Sequence, residues 1–211
     1  ILILFIVTFL DSLVHYCYFF WTSRYLADIG RAEKWIPAAM SIGQFAEIAT
    51  MAYLAYFLKA LGWRKIMILG ILGHVVRFGI YSIGTPDLLW LVILSNVVHG
   101  FAYAFFFATV YIFVDENFPK DVRTSAQSLF NFLVLGAGPF LGNFIWGWLG
   151  DVYSHKAIVA GKETVIIEYH RLFLAPLAFG VVAALFLIIF FHPGAAVVEA
   201  PVGDEELAPT V

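Results

Sequence analysis

The sequence predicts an all-α, polytopic membrane protein of six transmembrane helices. Three observations carry that prediction. The 211-residue chain is 62% hydrophobic and only 13% charged, about half the charged share of a soluble domain. Six stretches each approach or exceed the roughly 20 apolar residues that cross a bilayer. Short polar connectors rich in turn residues separate them. A charge at the bilayer centre costs roughly 2.5–3.5 kcal/mol on insertion, which is why Phe, Leu and Ile abound here while Lys and Glu are few.

The spans follow in order. The first covers residues 1–25, and a polar connector with Arg31, Glu33 and Lys34 ends it. The second covers 36–58, with Pro37 in its first turn, where a missing N–H costs nothing. A basic turn, Lys59 to Lys65 with Gly62, leads to the third span at 65–83. Gly84-Thr85-Pro86-Asp87 is a tight turn whose aspartate is placed to cap the fourth span, 87–114. The charged connector Asp115–Arg123 contains Pro119, and the fifth span follows at 124–149. Asp151–His170 is the longest loop. The sixth span, 171–191, stops at His192-Pro193-Gly194, a helix terminator. The bundle is thus residues 1–191, and no connector is long enough to be a domain.

Several classes are excluded or disfavoured. The net charge is −3, with no basic surface for a nucleic acid. The acids gather in the tail 192–211 (Glu199, Asp204, Glu205, Glu206), which reads as solvated and disordered. Cys17 is the only cysteine, so an internal disulfide is impossible, and its usual role is small-residue packing. No Cys/His spacing suits a metal, and no cofactor is implied. Nucleophile-elbow, HExxH and paired-aspartate motifs are lacking, which argues against an enzyme. The chain opens on apolar Ile1 without Met, a charged n-region or a cleavage site. It is not a signal peptide, and the expectation is a chain whose N-terminal part is missing.

Ionisable residues inside spans are costly and mark function by default. Asp11, His15 and Tyr18 share one face of the first span at helical spacing. Ser41, Gln44 and Glu47 do the same on the second, His74 and Arg77 on the third, and His99, Tyr103 and Phe106 on the fourth. Asn131 and Asn143 lie on the fifth, where amides more often join helices than bind solutes. A buried Arg77 wants a carboxylate partner, and its reading is structural. Glu47 is costly unless paired or protonated. Gly138 and Gly142 form a GxxxG that permits close helix approach, and Pro139 favours a bend. Four polar stripes at mid-depth fit a cavity between helices, the logic of a transporter with a midplane site.

Ser41-Ile-Gly-Gln-Phe-Ala-Glu47 resembles the Ser-Ile-x-Gln-x-x-Glu stretch of the nucleoside:proton symporter family of the major facilitator superfamily. Arg77-Phe78 with Gly84 and Pro86, His99-Gly100 to Tyr103, Val114-Asp115-Glu116 and Arg123-Thr-Ser-Ala-Gln127 resemble it too. The resemblance covers most of 1–151. It implies the C-terminal half of a twelve-helix transporter in the bacterial inner membrane. The Lys59–Lys65 and Asp115–Arg123 loops and the tail would be cytoplasmic. Loop charges alone, five Lys/Arg on one side against six on the other, do not choose an orientation. The partners implied are a nucleoside, protons, the lipid bilayer and the missing N-terminal half.

The resemblance also implies site roles. Gln44 and Glu47 match positions that hold the nucleoside. Tyr103 matches a site-lining aromatic, with Phe106 and His99 beside it, and His15 and Tyr18 stand where the family places an amide-bearing pair. Family members with established nucleoside transport carry an aspartate directly after that aromatic, and here the position is Ala104. Proton coupling would then fall to Glu47 or Asp11. Transport of another small polar metabolite, or a non-transporting sensor or scaffold on the same fold, stays open.

Overall fold

The computed structural model describes residues 2–159 and 161–193. Six helices order the chain: α1 (Leu2–Asp28), α2 (Ile36–Ala52), α3 (Leu54–Ile83), α4 (Pro86–Asn117), α5 (Lys120–Val152) and α6 (Tyr169–Phe190). All but α2 are individually long and apolar enough to cross a membrane. At 1.5 Å per residue the 27 residues of α1 extend about 40 Å, more than the roughly 30 Å hydrocarbon layer.

The spans differ from expectation mainly at their ends. The second is broken at Tyr53, and α2 itself has 17 residues. The chain then turns back inside α3 at Gly62, whose φ of 76° suits glycine and no side-chain-bearing residue comfortably. Leu54 and Ile66 pack in one apolar cluster with Phe105, although residues twelve apart in a straight helix would lie about 18 Å apart. Gly62 is therefore the reversal between the second and third spans. Asp87 does not cap α4: it sits within the opening 3₁₀ turn Pro86–Leu88, and Thr85 precedes that turn without a side-chain cap bond. The long loop is not irregular. Strands β1 (Ser154–Val159) and β2 (Lys162–Ile167) pair antiparallel, with Lys156 opposite Val165. The β-branched run Thr164-Val165-Ile166-Ile167 after Gly161 was the sequence signal. Of the terminator, His192 and Pro193 follow the end of α6, while Gly194 and the acidic tail lie outside the described residues.

The helices run up and down in turn, as two apolar clusters reveal. One joins the start of α1 (Leu4), α3 after its turn (Met67) and the first part of α5 (Phe130) to the ends of α4 (Val114) and α6 (Leu187). The other joins the end of α1 (Tyr25), the start of α2 (Ile36), the end of α3 (Tyr81), the end of α5 (Trp146) and the start of the last span (Leu172). Between these two caps, at mid-depth, lie the buried Asp11, His74, Arg77 and His99.

Glycines set the close crossings. On α5, a Cβ at Gly138 would stand 2.8 Å from Ser12 Cβ, and one at Gly142 would stand 2.7 Å from Tyr16 Cδ1. The GxxxG thus acts as a packing face against α1. α2 meets α4 through Gly43 and Gly100, where a Cβ on Gly100 would lie 2.6 Å from Ala46 C. α3 meets α4 at Gly70, against the Phe106 backbone. Exposed Phe140, Phe144 and Trp148 stripe α5 every fourth residue, a surface suited to lipid or another apolar partner rather than water.

Candidate functional site

α1, α3 and α4 bring their mid-span polar residues together. Arg77 is fully buried and sits at the centre. Its Nη1 donates to His99 Nδ1, and its Nη2 donates to His74 Nδ1 at 3.2 Å. The guanidinium lies between the rings of Tyr18 and Phe78, 4.5 and 4.8 Å from their centroids, a favourable cation–π setting. The expected carboxylate partner does not touch Arg77. Asp11 instead faces His74, with Oδ2 3.6 Å from Nε2. The His74 ring is interposed: its Nδ1 accepts from Arg77 while its Nε2 faces Asp11.

Above this set the rings form a stack. Tyr18 lies on His99 at 4.1 Å between centroids and 24° between planes. His15 lies on His99 at 4.8 Å and 11°. Tyr103 and Phe107 flank His15 at 5.5 and 5.3 Å, and the exposed Phe19 meets it edge-on at 5.2 Å. Tyr18 and His99 are buried within the stack, so the ring surface open to a flat heteroaromatic solute is that of half-buried His15 and Tyr103 and exposed Phe19.

Phe106 is not part of this platform. It is fully buried in the apolar cluster with Met67 and Ile71, backed by Gly70. The cause is the π-helical segment Ala104–Ala108. Its wider turn adds a residue, so the residue sharing the Tyr103 face is four positions on, Phe107, and not three. The sequence reading takes the i+3 neighbour of Tyr103, Phe106, whereas the i+4 neighbour, Phe107, is the one that meets His15. Phe19 and Phe107 were missed because aromatic residues are too common here to stand out.

The α2 stripe lies to one side. Gln44 is exposed, Glu47 is half-buried and Ser41 bonds back to Pro37 O at 2.8 Å. The Gly43–Gly100 crossing sets the Glu47 backbone directly against α4, one turn from Tyr103. Asn131 and Asn143 join helices as expected of amides in spans: Tyr111 donates to Asn131 Oδ1 at 2.7 Å, and Tyr16 donates to Asn143 Oδ1 at 3.2 Å. Cys17 is buried in packing. Ala104, fully buried, opens the π segment, and its carbonyl accepts from Thr109 Oγ1.

A cavity of about 670 Å³ adjoins the platform, within the range of small-molecule pockets. Met51, Leu54, Leu58 and Trp63 line it from α2 and α3, and Lys59 and Glu116 stand among its polar walls. Tyr103 is the member of the ring set that lines this cavity, which extends from it toward Lys59 and Glu116.

Comparison with known proteins bears on the fold and the family. The chain is 28% identical over 216 residues to the putative nucleoside transporter YegT of Escherichia coli, covering 99% of this chain and 49% of that protein. It is 30% identical over 150 residues to the E. coli xanthosine permease, covering 69% of this chain and 36% of that one. The solved structure of the nucleoside transporter NupG superposes with a TM-score of 0.75 at 26% identity, covering 90% of this chain and 47% of that chain. The chain thus spans about half the length of the curated relatives it matches or less, and its six helices correspond to one half of the major facilitator fold. The family model described as nucleoside H+ symporter matches residues 1–195, so this chain belongs to the nucleoside H+ symporter family.

Proposed function

We propose that the chain is the C-terminal six-helix half of a nucleoside transporter, working by proton symport in a bacterial inner membrane. The observation that carries this reading is the ring platform of His15, Tyr18, His99 and Tyr103, whose Tyr103 also lines a cavity and has Glu47 one helical turn away across the α2–α4 crossing. A nucleobase stacks on the rings. Glu47 accepts hydrogen bonds from the sugar hydroxyls, and Gln44 reads the solute through its amide. His15 and His99 add polar contacts at their ring edges. Phe106 acts indirectly, by holding α4 against α3. Arg77 is the structural charge beneath the platform, and Glu47 and Asp11 are the carboxylates available to carry a proton. No catalytic chemistry is needed, only binding, reorientation and release.

Membership of the symporter family supports nucleosides and protons as cargo. A match to half of each relative supports a second six-helix half, against which this one rocks to give alternating access. The apolar stripe of α5 would then be shared between lipid and that half.

The test is uptake of labelled uridine and adenosine by the full-length protein, in cells lacking their own nucleoside transporters, with and without a protonophore. Uptake that the protonophore abolishes is expected. Glu47→Gln and Gln44→Ala should each lower it about tenfold or more, because a hydrogen bond to a charged or buried partner is worth about 1.5–3 kcal/mol. Unchanged uptake in both variants would overturn the site assignment, and no uptake by correctly inserted protein would overturn the nucleoside reading.

A further inference from the structure

If transport is proton-coupled, a titratable group within the bundle must bind the proton. The hydrogen-bond geometry beneath the platform narrows where. A guanidinium stays charged and only donates. Arg77 donates to Nδ1 of both His74 and His99, so each neutral imidazole carries its own proton on Nε2. For His74 that Nε2–H faces Asp11 Oδ2 at 3.6 Å. Neither imidazole has a lone pair left while Arg77 holds it. Asp11 is fully buried, and neither of its oxygens has a hydrogen-bond partner. Of the four linked side chains, only Asp11 can bind a proton without breaking a bond to Arg77.

The charge balance gives the proton a consequence. With Asp11 ionised the linked set sums to zero, Asp11 against Arg77. A proton arriving from water forms an O–H bond on Asp11 and leaves the set at +1, unbalanced inside a low-dielectric interior. It also neutralises the carboxylate that faces His74 Nε2–H at 3.6 Å. His74 and His99 share one guanidinium, and the His99 ring carries Tyr18 and His15 on its faces. A change at Asp11 thus reaches the surface where the solute stacks.

Other titratable groups surround the set. On α1 they are His15, Cys17 and Tyr18; from α3 come His74, Arg77 and Tyr81; from α4, His99 and Tyr103; and from α2, Glu47 on the Tyr103 side. Among the described residues, the acids and bases of α5 and α6 lie at the helix ends. His15 is the nearest rival, since its buried Nδ1 has no partner. Arg77 opposes a second cation there.

We propose that Asp11 is the proton-binding carboxylate, and that His74, Arg77 and His99 transmit its protonation to the His15–His99–Tyr18 platform across α1, α3 and α4. His74 and Arg77 are positioning residues. The inference rests on the transport reading above, and the test separates the two.

The purified full-length protein is examined by pH-difference infrared spectroscopy, which reads protonated carboxylic acids without any substrate. Asp11→Asn should remove a carbonyl band that Glu47→Gln and His15→Gln retain. Arg77→Gln should move its midpoint to higher pH, because losing a cation favours the neutral acid. In proteoliposomes, Asp11→Asn should cut gradient-driven uridine accumulation about tenfold or more, the scale of a lost coupling, with counterflow far less affected. Arg77→Lys keeps the charge but replaces the planar two-pronged donor with a compact ammonium that misplaces the two imidazoles, and should give the same split. An unchanged spectrum in Asp11→Asn, or accumulation that survives it, overturns the proposal. A titrating Asp11 in a protein that moves no nucleoside supports the proton site and overturns the nucleoside reading.

Discussion

The bundle buries polar side chains in two regions, and treats them differently. Near the end of α1 the tyrosine and tryptophan set is satisfied. Tyr25 donates to Tyr81 O at 2.9 Å, Tyr81 to Asn96 Oδ1 at 2.8 Å, and Asn96 Nδ2 to Ala39 O at 3.1 Å. Trp21 donates to Trp146 O and Trp146 to Leu13 O. At mid-depth, Asp11 Oδ1 and Oδ2, His74 Nε2, His15 Nδ1 and Arg77 Nε are all buried without a hydrogen-bond partner. A satisfied network fixes one arrangement of its helices, whereas an unsatisfied one is costly to hold. The contrast teaches where the fold is built to stay still and where it is built to respond.

Three substitutions break or sharpen that contrast, in falling order of effect. Arg77→Met strikes the responsive region hardest. It leaves two imidazoles without their shared donor and Asp11 without its balancing charge, and breaking a buried charged set costs about 3–5 kcal/mol. The expected outcome is a large loss of melting temperature and of folded yield for the full-length protein. A melting temperature equal to wild type would mean that Arg77 holds nothing together. Gly100→Leu strikes the seam that keeps Glu47 beside α4. A side chain there meets the Ala46 and Glu47 backbone, and overpacking costs about 1–3 kcal/mol. Uptake should fall more than stability, because the Glu47 to Tyr103 placement is what shifts. Equal losses in both would argue that the seam serves packing alone. Tyr81→Phe tests the satisfied region. It removes one hydrogen bond to Asn96, worth about 1 kcal/mol, and should lower the melting temperature slightly while leaving uptake and its pH profile as in wild type. An altered pH profile would join the two regions that the hydrogen bonding separates.

Much of this was legible in the residues. Six apolar runs, Pro37 at a helix start and the basic turn around Gly62 gave the helix order, because burying backbone in lipid leaves helices as the economical solution. The in-span polar residues identified Asp11, His15, Tyr18, His99 and Tyr103 as neighbours of a shared interior, since each would be too costly to face lipid. Three things were not legible. The π turn after Tyr103 replaced Phe106 with Phe107 on the platform, and a wider turn leaves no mark in hydropathy. The hairpin 154–167 hid in a connector. Arg77 found imidazoles and aromatic faces in place of a carboxylate.

The sequence by itself determined that the chain crosses a membrane repeatedly and which spans carry polar groups, because transfer into lipid acts on each residue according to its chemistry. Only the tertiary structure decided which of those groups meet. Contacts among α2, α3 and α4 depend on where Gly43, Gly70 and Gly100 let backbones approach, and the facing of the α4 rings on the π segment after Tyr103. Those choices of a few ångströms place His99 between Tyr18 and His15, and Asp11 against His74 rather than against Arg77.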